Sequence, residues 1–281
     1  MLVNLKQVLA LAEAGGYCIP AFNVYNMETV MGVLAAAEAE RAPIIMQIYP
    51  RLMKEEAGYF LAPVVKAAAE KATVPVCFHL DHGPSELETT RSLRWGATGI
   101  MLDGSTLPFE ENIALTRRVV DTCAYVDVQV EGELGHVGTT KDAEMDPFTT
   151  PEDAKRFVEE TGVACMAVAV GTAHGRYDKP PKLDIQRIRD IREATGGAAL
   201  VLHGGSGVPD EEIRAAVKAG IRKMNFATDI CYAFLDCCRE QLNASDCPVA
   251  VDNFMKKPIS AVRDFCISRI RLVGADGKAD V

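Results

Sequence analysis

The chain has 281 residues, 48% of them hydrophobic and 25% charged, with a formal net charge of −9. That composition is typical of an ordinary globular protein, and the negative charge argues against a general nucleic-acid binder. None of the nine cysteines belongs to a C-x-x-C pair, and no apolar run reaches membrane-spanning length. Because residues 1–6 carry no signal peptide, we expect a reduced, cytoplasmic protein without nucleic-acid or membrane partners.

Short apolar segments alternate with helical segments along the whole chain. The pattern predicts strands at 17–24, 44–48, 74–81, 99–103, 126–130, 166–170, 199–203 and 223–227. It predicts helices at 4–13, 26–41, 55–71, 85–94, 108–123 and 209–219, two more beginning at 151 and 184, and a C-terminal helix at about 253–273. Eight strands, each followed by a helix, predict an α/β fold, a closed (β/α)8 TIM barrel in a single domain. A doubly wound open sheet is the alternative, but no G-x-G-x-x-G motif follows an early strand.

All five histidines fall at or just past the carboxyl end of a predicted strand, where barrel enzymes carry their chemistry. Three of them, His82, His174 and His203, follow the third, sixth and seventh strands beside a glycine or a turn. Three imidazoles that leave one position open are typical of a catalytic zinc site. We interpret His79 and His136 as supporting or structural residues.

Carboxylates gather at the same predicted rim. Asp81 precedes a proposed ligand, Asp103 ends the fourth strand, and Glu131 and Glu133 end the fifth. Side chains alternate along a strand, so Glu131 and Glu133 share one side and are expected to face the barrel mouth. By the same rule, Asp81 lies opposite His82 unless the backbone turns between them. A solvated loop at 131–133 is the alternative, but this segment lacks the Ser, Asn and Pro of a loop.

Two further segments have the pattern of an anion site. His-Gly-Gly-Ser-Gly-Val-Pro at 203–209 and Asn-Phe-Ala-Thr at 225–228 each lead from a predicted strand into a helix. Free backbone N–H groups at such turns bind phosphate, and the loops after strands seven and eight of a barrel are its usual place.

Six motifs together resemble one enzyme family, the class II, zinc-dependent ketose-bisphosphate aldolases. The motifs are His-Leu-Asp81-His82-Gly, Met-Leu-Asp103-Gly-Ser, Val-Glu131-Gly-Glu133-Leu-Gly, Val-Gly-Thr-Ala-His174-Gly, Leu-His203-Gly-Gly-Ser and Asn225-Phe-Ala-Thr228. They occur in the family's order, and the resemblance runs from residue 21 to the C-terminal helix. It is closest to the fructose- and tagatose-bisphosphate aldolase type.

The resemblance implies the roles of the site residues. His82, His174 and His203 would hold Zn²⁺, and Asp103 and Glu133 match a second or resting metal position. Asp81 would be the acid/base that exchanges a proton with the C4 oxygen of the substrate.

The resemblance also implies the substrate, a ketose phosphate cleaved reversibly to dihydroxyacetone phosphate and an aldehyde such as glyceraldehyde 3-phosphate. The positions that match the family's substrate-binding site are Asn23, Gly175, Gly204, Gly205, Ser206, Asn225, Ala227 and Thr228. The resemblance also implies a monovalent cation beside the bound phosphate. The family further implies a homo-oligomer, a dimer or tetramer.

The sequence departs from the family pattern in two loops. The loop at about 135–150, expected to be an active-site lid, has Asp142 and Glu144 near the place where the family keeps paired acids. The base that moves the enediolate proton is therefore Asp142, Glu144 or absent. After the second strand, Tyr49-Pro50-Arg51 stands where aldolases often have a small hydroxyl residue. The identity of the aldehyde half of the substrate is therefore not predicted.

Two other functions fit the same pattern. A zinc hydrolase on this barrel would use the metal to activate water. A non-catalytic sugar-phosphate binder would explain the altered lid. The anion-binding segments after strands seven and eight favour the aldolase.

Overall fold

The computed structural model describes residues 1–54, 56–139, 148–175, 177 and 179–279. Its strands in these ranges are β1 Leu2–Val3, β2 Ile19–Asn23, β3 Ile44–Ile48, β4 Val76–Gly83, β5 Gly99–Leu102, β6 Gln129–Leu134, β7 Cys165–Val168, β8 Ala199–Leu202 and β9 Ile221–Phe226. Its helices are α1 Leu5–Gly15, α2 Met27–Glu40, α3 Pro50–Lys54, α4 Ala57–Lys71, α5 Glu86–Arg94, α6 Phe109–Ala124, α7 Pro151–Thr161, α8 Ile185–Ala194, α9 Asp210–Ala219, α10 Thr228–Leu242 and α11 Val251–Leu272.

Strands β2 to β9 form a closed parallel barrel. Each pairs with the next strand along the chain, and β9 returns to β2, where Ile19 is in register with Lys223. The helices between the strands surround the barrel, so the predicted (β/α)8 TIM barrel is confirmed. The short strand β1, which was not predicted, pairs with β4 outside the ring, with Leu2 opposite Val76.

The barrel strands are apolar because both of their faces are covered. Every residue of β2, β3, β5, β7 and β8 is buried, between the barrel interior and the surrounding helices. Helix starts are set locally, as predicted at Asn26, whose side chain accepts a hydrogen bond from the Thr29 N–H to cap α2. All strands point their carboxyl ends to one rim, which gathers the polar residues there.

The fifth predicted strand was placed too early in the chain. The structure begins β6 at Gln129, whereas Tyr125 and Val126 are 91% and 59% exposed. Asp127 has φ 53°, a left-handed turn conformation that ends the preceding helical segment. Apolar side chains at 125–126 therefore belong to a surface turn and not to the barrel wall.

The chain after β9 contains two helices. The C-terminal helix α11 packs against α2 and α10, with Gly32 of α2 close to Val262. Val262 and Ile270 are buried, so part of the apolar face of α11 is covered by this chain itself. Within the described ranges, no helix combines the length and the apolar character needed to cross a bilayer.

Candidate active site

Three histidines converge at the carboxyl ends of the strands. His82 lies in β4, while His174 and His203 follow β7 and β8. Their candidate ligand nitrogens all lie within 4.8 Å of one another. The buried Nε2 atoms of His82 and His174 and the buried Nδ1 atom of His203 have no hydrogen-bond partner. Three converging imidazole nitrogens without partners have the chemistry that a transition-metal ion requires.

His82 reaches this cluster because the backbone of β4 turns. It has φ 47°, and the register of β4 with β5 shifts between Leu80 and Gly83. A non-glycine residue in the left-handed region is uncommon and costs on the order of 1–3 kcal/mol. A side chain at position 83 would meet Leu80 and the Met101 carbonyl oxygen at 2.6 Å, so only glycine fits there. The turn brings His82 and Asp81 to the same site despite their adjacent positions.

Hydrogen bonds to carboxylates select which nitrogen of two rings remains free. His82 Nδ1 lies 2.8 Å from Asp103 Oδ2, which leaves Nε2 for a metal. His203 Nε2 lies 2.9 Å from Glu131 Oε1, which leaves Nδ1. Such carboxylate–histidine pairs are the usual outer partners of metal-binding imidazoles.

Glu133 faces the same cluster. Its Oε2 lies 3.2 Å from His203 Nδ1 and 3.8 Å from His82 Nδ1, and this oxygen has no hydrogen-bond partner. A carboxylate oxygen this close to a nitrogen lone pair fits a cation shared between them. His82, Asp103 and Glu133 also form a second group with ligand atoms within 4.8 Å. The residues predicted for the two metal positions are thus brought together.

The carboxylates at the site stabilise positive charge on the neighbouring rings, a charge that a bound metal ion would supply in place of the protons. Burial lowers the pKa of His82, but the carboxylates of Asp81, Asp103 and Glu133 outweigh it and raise the pKa to about 10. Burial, together with the positive rings of His82 and His203, lowers the pKa of His174 to about 3. His174 is therefore neutral at physiological pH, the form that binds metals.

Asp81 is buried beside the histidines and held at both oxygens. Its Oδ2 accepts a 2.8 Å hydrogen bond from Asn23 Nδ2, and its Oδ1 accepts one of 3.0 Å from Asn225 Nδ2. Burial would raise the pKa of Asp81, but nearby His82, His203 and Lys223 outweigh it and hold the pKa below its usual value. The carboxylate is therefore ionised and ready to accept a proton.

The anion-binding segments lie in adjoining loops. Gly204 has φ 64°, and a side chain at 204 or 205 would meet the Ala173 or Asn225 carbonyl oxygen at 2.4 or 2.8 Å. Ser206 Oγ accepts a 3.3 Å hydrogen bond from the Asp229 N–H at the start of α10, next to Ala227 and Thr228. A cavity of about 370 Å³ lies here, lined among others by Gly175, Ser206 and Tyr177. Glycine backbone and a helix N-terminus can hold a phosphate.

Tyr177 contacts both the loop after β7 and the loop after β8. Its hydroxyl accepts a 2.8 Å hydrogen bond from the Ala173 N–H, and its one proton lies within reach of the Ala173 and Gly204 carbonyl oxygens, at 2.7 and 3.0 Å. The loop that carries His174 is thereby fixed to the loop that follows His203. No motif or strand-end pattern in the sequence marks this tyrosine as functional.

The two remaining histidines support the cluster from outside. His136 Nδ1 lies 3.0 Å from Ser105 Oγ, which in turn donates a 2.6 Å hydrogen bond to Asp103. His79 is fully buried with Nε2 3.5 Å from Glu131 Oε2, and burial, together with the Lys223 charge, lowers its pKa to about 3.

The described ends of the predicted lid are attached to the site. The His174 N–H donates a 2.8 Å hydrogen bond to the Gly138 carbonyl oxygen, and the Thr149 N–H donates one of 3.1 Å to Ala169. Asp142 and Glu144 lie in residues 140–147, outside the described residues. The loop that would carry the enediolate base therefore begins beside a candidate metal ligand.

Two polar residues of the site were missed from sequence. Gln47 Nε2 donates a 2.8 Å hydrogen bond to Asn23 Oδ1, and Lys223 Nζ donates one of 2.7 Å to Asn225 Oδ1. Both are fully buried. A polar side chain inside an otherwise apolar strand was the signal that could have identified them.

A closed parallel barrel with converging histidines and a fixed carboxylate at its carboxyl rim defines a (β/α)8-barrel enzyme. Residues 3–278 match the family Fructose-bisphosphate aldolase class-II, and the chain belongs to that family. The resemblance inferred from the motifs is therefore confirmed. The protein is an aldolase, a carbon–carbon lyase, of a family that acts on small sugar phosphates.

Solved structures agree with this assignment. The YdjI aldolase from Escherichia coli K12 is 34% identical, with a TM-score of 0.90 and 100% of each chain covered. A putative fructose-1,6-biphosphate aldolase from Coccidioides immitis is 28% identical, with a TM-score of 0.90 and 99% and 98% covered. The fructose-bisphosphate aldolase of Campylobacter jejuni, 23% identical with a TM-score of 0.83 and 99% and 97% covered, shows the shared fold.

Proposed function

We propose that the chain is a zinc-dependent aldolase that reversibly cleaves a ketose phosphate of the fructose-1,6- or tagatose-1,6-bisphosphate type. The products are dihydroxyacetone phosphate and an aldehyde such as glyceraldehyde 3-phosphate. The observation that carries the proposal is the convergence of three buried, unpartnered imidazole nitrogens beside the ionised carboxylate of Asp81.

His82 Nε2, His174 Nε2 and His203 Nδ1 would hold the zinc ion. Bound there, zinc supplies Lewis acidity, which stabilises the negative charge that develops on the substrate ketone during cleavage. Asp103 orients His82, and the group of His82, Asp103 and Glu133 provides the second metal position. Two metal positions that share His82 would let one ion move between a resting and a working place.

Asp81 moves the proton on the C4 oxygen. In cleavage its carboxylate takes the proton from the C4 hydroxyl as the C3–C4 bond breaks, and in condensation it returns the proton to the aldehyde oxygen. Asn23 and Asn225 hold the two carboxylate oxygens in place. A positioned acid/base of this kind contributes roughly 10²–10⁴-fold to the rate.

The phosphate of the dihydroxyacetone half binds between the loops after β7, β8 and β9. The backbone of Gly175, Gly204 and Gly205, with the Ser206 hydroxyl and the start of α10 at Ala227 and Thr228, supplies the donors. Carbonyl oxygens of the same loops would bind a monovalent cation next to the phosphate. Asp142 or Glu144 of the lid provides the base for the enediolate proton.

We further propose a homodimer or homotetramer. Large apolar side chains stay exposed on α2 and α10, including Met27, Met31 and Leu235, and burying them between copies would be favourable. Light scattering at micromolar concentration should give a mass of two or four chains, and a monomer would contradict the proposal.

The proposed function is tested by metal analysis and a substrate panel. The purified protein should contain about one zinc per chain and should release triose phosphate from a ketose phosphate, with the activity lost to a chelator and restored by zinc. His174→Ala should lose the metal, whereas His136→Ala, a histidine outside the trio, should retain it. Stoichiometric zinc without any triose phosphate from the panel would favour a hydrolase instead.

A further inference from the structure

Lys223 is the one lysine or arginine that is buried in the part of the chain that the structure describes. It lies in β9, with Nζ 2.9 Å from Glu131 Oε2 and 2.7 Å from Asn225 Oδ1. Burial lowers the pKa of Lys223, but the carboxylates of Glu131 and Asp81 outweigh it and raise the pKa above its usual value. A charged ammonium is thus kept inside the barrel, which is unfavourable unless it is paired and hydrogen-bonded.

The ammonium determines the direction of two hydrogen-bond chains, because it donates and never accepts. On one side it holds the carbonyl oxygen of Asn225, so that Asn225 Nδ2 is left to donate to Asp81 Oδ1 at 3.0 Å. On the other side it holds Glu131 Oε2, so that Oε1 is left to accept from His203 Nε2 at 2.9 Å. One side chain therefore orients both a candidate acid/base and a candidate metal ligand.

We propose that Lys223 is a positioning residue that holds Asp81 through Asn225 and His203 through Glu131 in the geometry that the aldolase site requires. The inference rests on the proposed function, which assigns proton transfer to Asp81 and metal binding to His203. We assign Lys223 no direct contact with substrate, because Nζ lies against Glu131 and Asn225 and the side chain has no exposed surface.

The test compares Lys223→Met with the matched control Arg222→Met. Methionine keeps the length of the lysine stem and removes the ammonium. Arg222 is the preceding residue of β9, but its Nε lies 3.2 Å from Glu13 Oε2, away from the site. The control therefore removes a cation from the same strand and leaves both hydrogen-bond chains intact.

The first measurement is a Co²⁺ titration of the metal-free proteins, followed by visible absorption. Loss of the outer partner of a ligand typically weakens metal binding about 10–100-fold. Lys223 holds Glu131, the outer partner of His203, so Lys223→Met should weaken Co²⁺ binding toward that range and alter the spectrum. Arg222→Met should stay within about threefold of wild type, because Arg222 contacts Glu13 and neither Glu131 nor His203 loses a partner.

The second measurement tests the hydrogen-bond chain from Lys223 through Asn225 to Asp81. At saturating Co²⁺, with the ketose phosphate that wild type cleaves fastest, Lys223→Met should show a kcat about 10–100-fold lower and a KM within about threefold. A kcat restored to the wild-type value at saturating metal would show that Lys223 does not act through Asn225.

Unchanged Co²⁺ affinity and spectrum in folded Lys223→Met would overturn the proposal. If that variant does not fold, Lys223→Gln, which keeps one donor, should fold and give an intermediate loss of affinity. Failure of both to fold would also overturn it, since the lysine would then serve the scaffold alone. Absence of Co²⁺ binding by wild type is a separate result, which contradicts the proposed metal-dependent function.

Discussion

Replacing Asp81 by asparagine should affect turnover and stability by two separable mechanisms. The new amide group would face donors on both sides, because Asn23 and Asn225 each present Nδ2 to Asp81. Neither asparagine can flip its amide group without breaking another hydrogen bond. Gln47 Nε2 donates to the Asn23 oxygen, and Lys223 Nζ donates to the Asn225 oxygen. One buried donor must therefore lose its acceptor.

The magnitudes follow from these contacts. An unsatisfied buried donor costs about 1–3 kcal/mol, so the free energy of unfolding should fall by about that amount. Each kcal/mol lowers the melting temperature by about 2–4 °C in a domain of roughly this size. Turnover should fall about 10²–10⁴-fold, equivalent to about 3–5 kcal/mol in the barrier, because the proton acceptor is gone. Zinc should remain bound, since Asp81 is not among the three proposed ligands.

A double variant separates the two mechanisms. In Asp81→Asn combined with Asn23→Asp, the amide at 81 donates to a carboxylate at 23, the reverse of the wild-type direction, and Gln47 can still donate to that carboxylate. The melting temperature should return toward wild type while turnover stays low, because the carboxylate has moved away from the substrate oxygen. The assays are thermal unfolding, zinc content and release of triose phosphate. Full activity in either variant with zinc bound would refute the assignment of Asp81 as the acid/base.

Three further predictions concern other parts of the chain. Tyr177→Phe should raise KM for the sugar phosphate about tenfold with a smaller change in kcat, because it removes the hydroxyl contacts with the loops after β7 and β8. An unchanged KM would contradict this. Asp142→Ala or Glu144→Ala should slow solvent deuterium exchange into dihydroxyacetone phosphate, and wild-type rates in both would exclude the lid as the source of the base. Burial raises the pKa of Glu13, but hydrogen bonds and charge from Arg192 outweigh it and lower the pKa. The resulting stability is present above the unfolded value of about 4.5 and is lost as the pH falls through the folded pKa, so urea unfolding of Glu13→Gln should depend less on pH below about 4.5.

The fold and the set of candidate ligands were predictable from sequence because both depend on short-range patterns. Parallel barrel strands are buried on both faces, so they occur as apolar runs whose number and spacing can be counted. The carboxyl ends of those runs carry His82, His174 and His203, and parallel strands must bring such ends to one rim. Where an apolar residue lay outside the barrel, as at Val126, the same reasoning began a strand too early.

The tertiary structure decided which atoms face each other. Alternation predicted opposite sides for Asp81 and His82, and only the left-handed turn at His82 brings them to one site. The free nitrogen of His203 is set by Glu131, and the direction of the Asn225 amide by Lys223, through contacts between different strands. Hydrogen-bond direction depends on the full set of neighbouring donors and acceptors in three dimensions. Periodicity along a single strand carries no information about it.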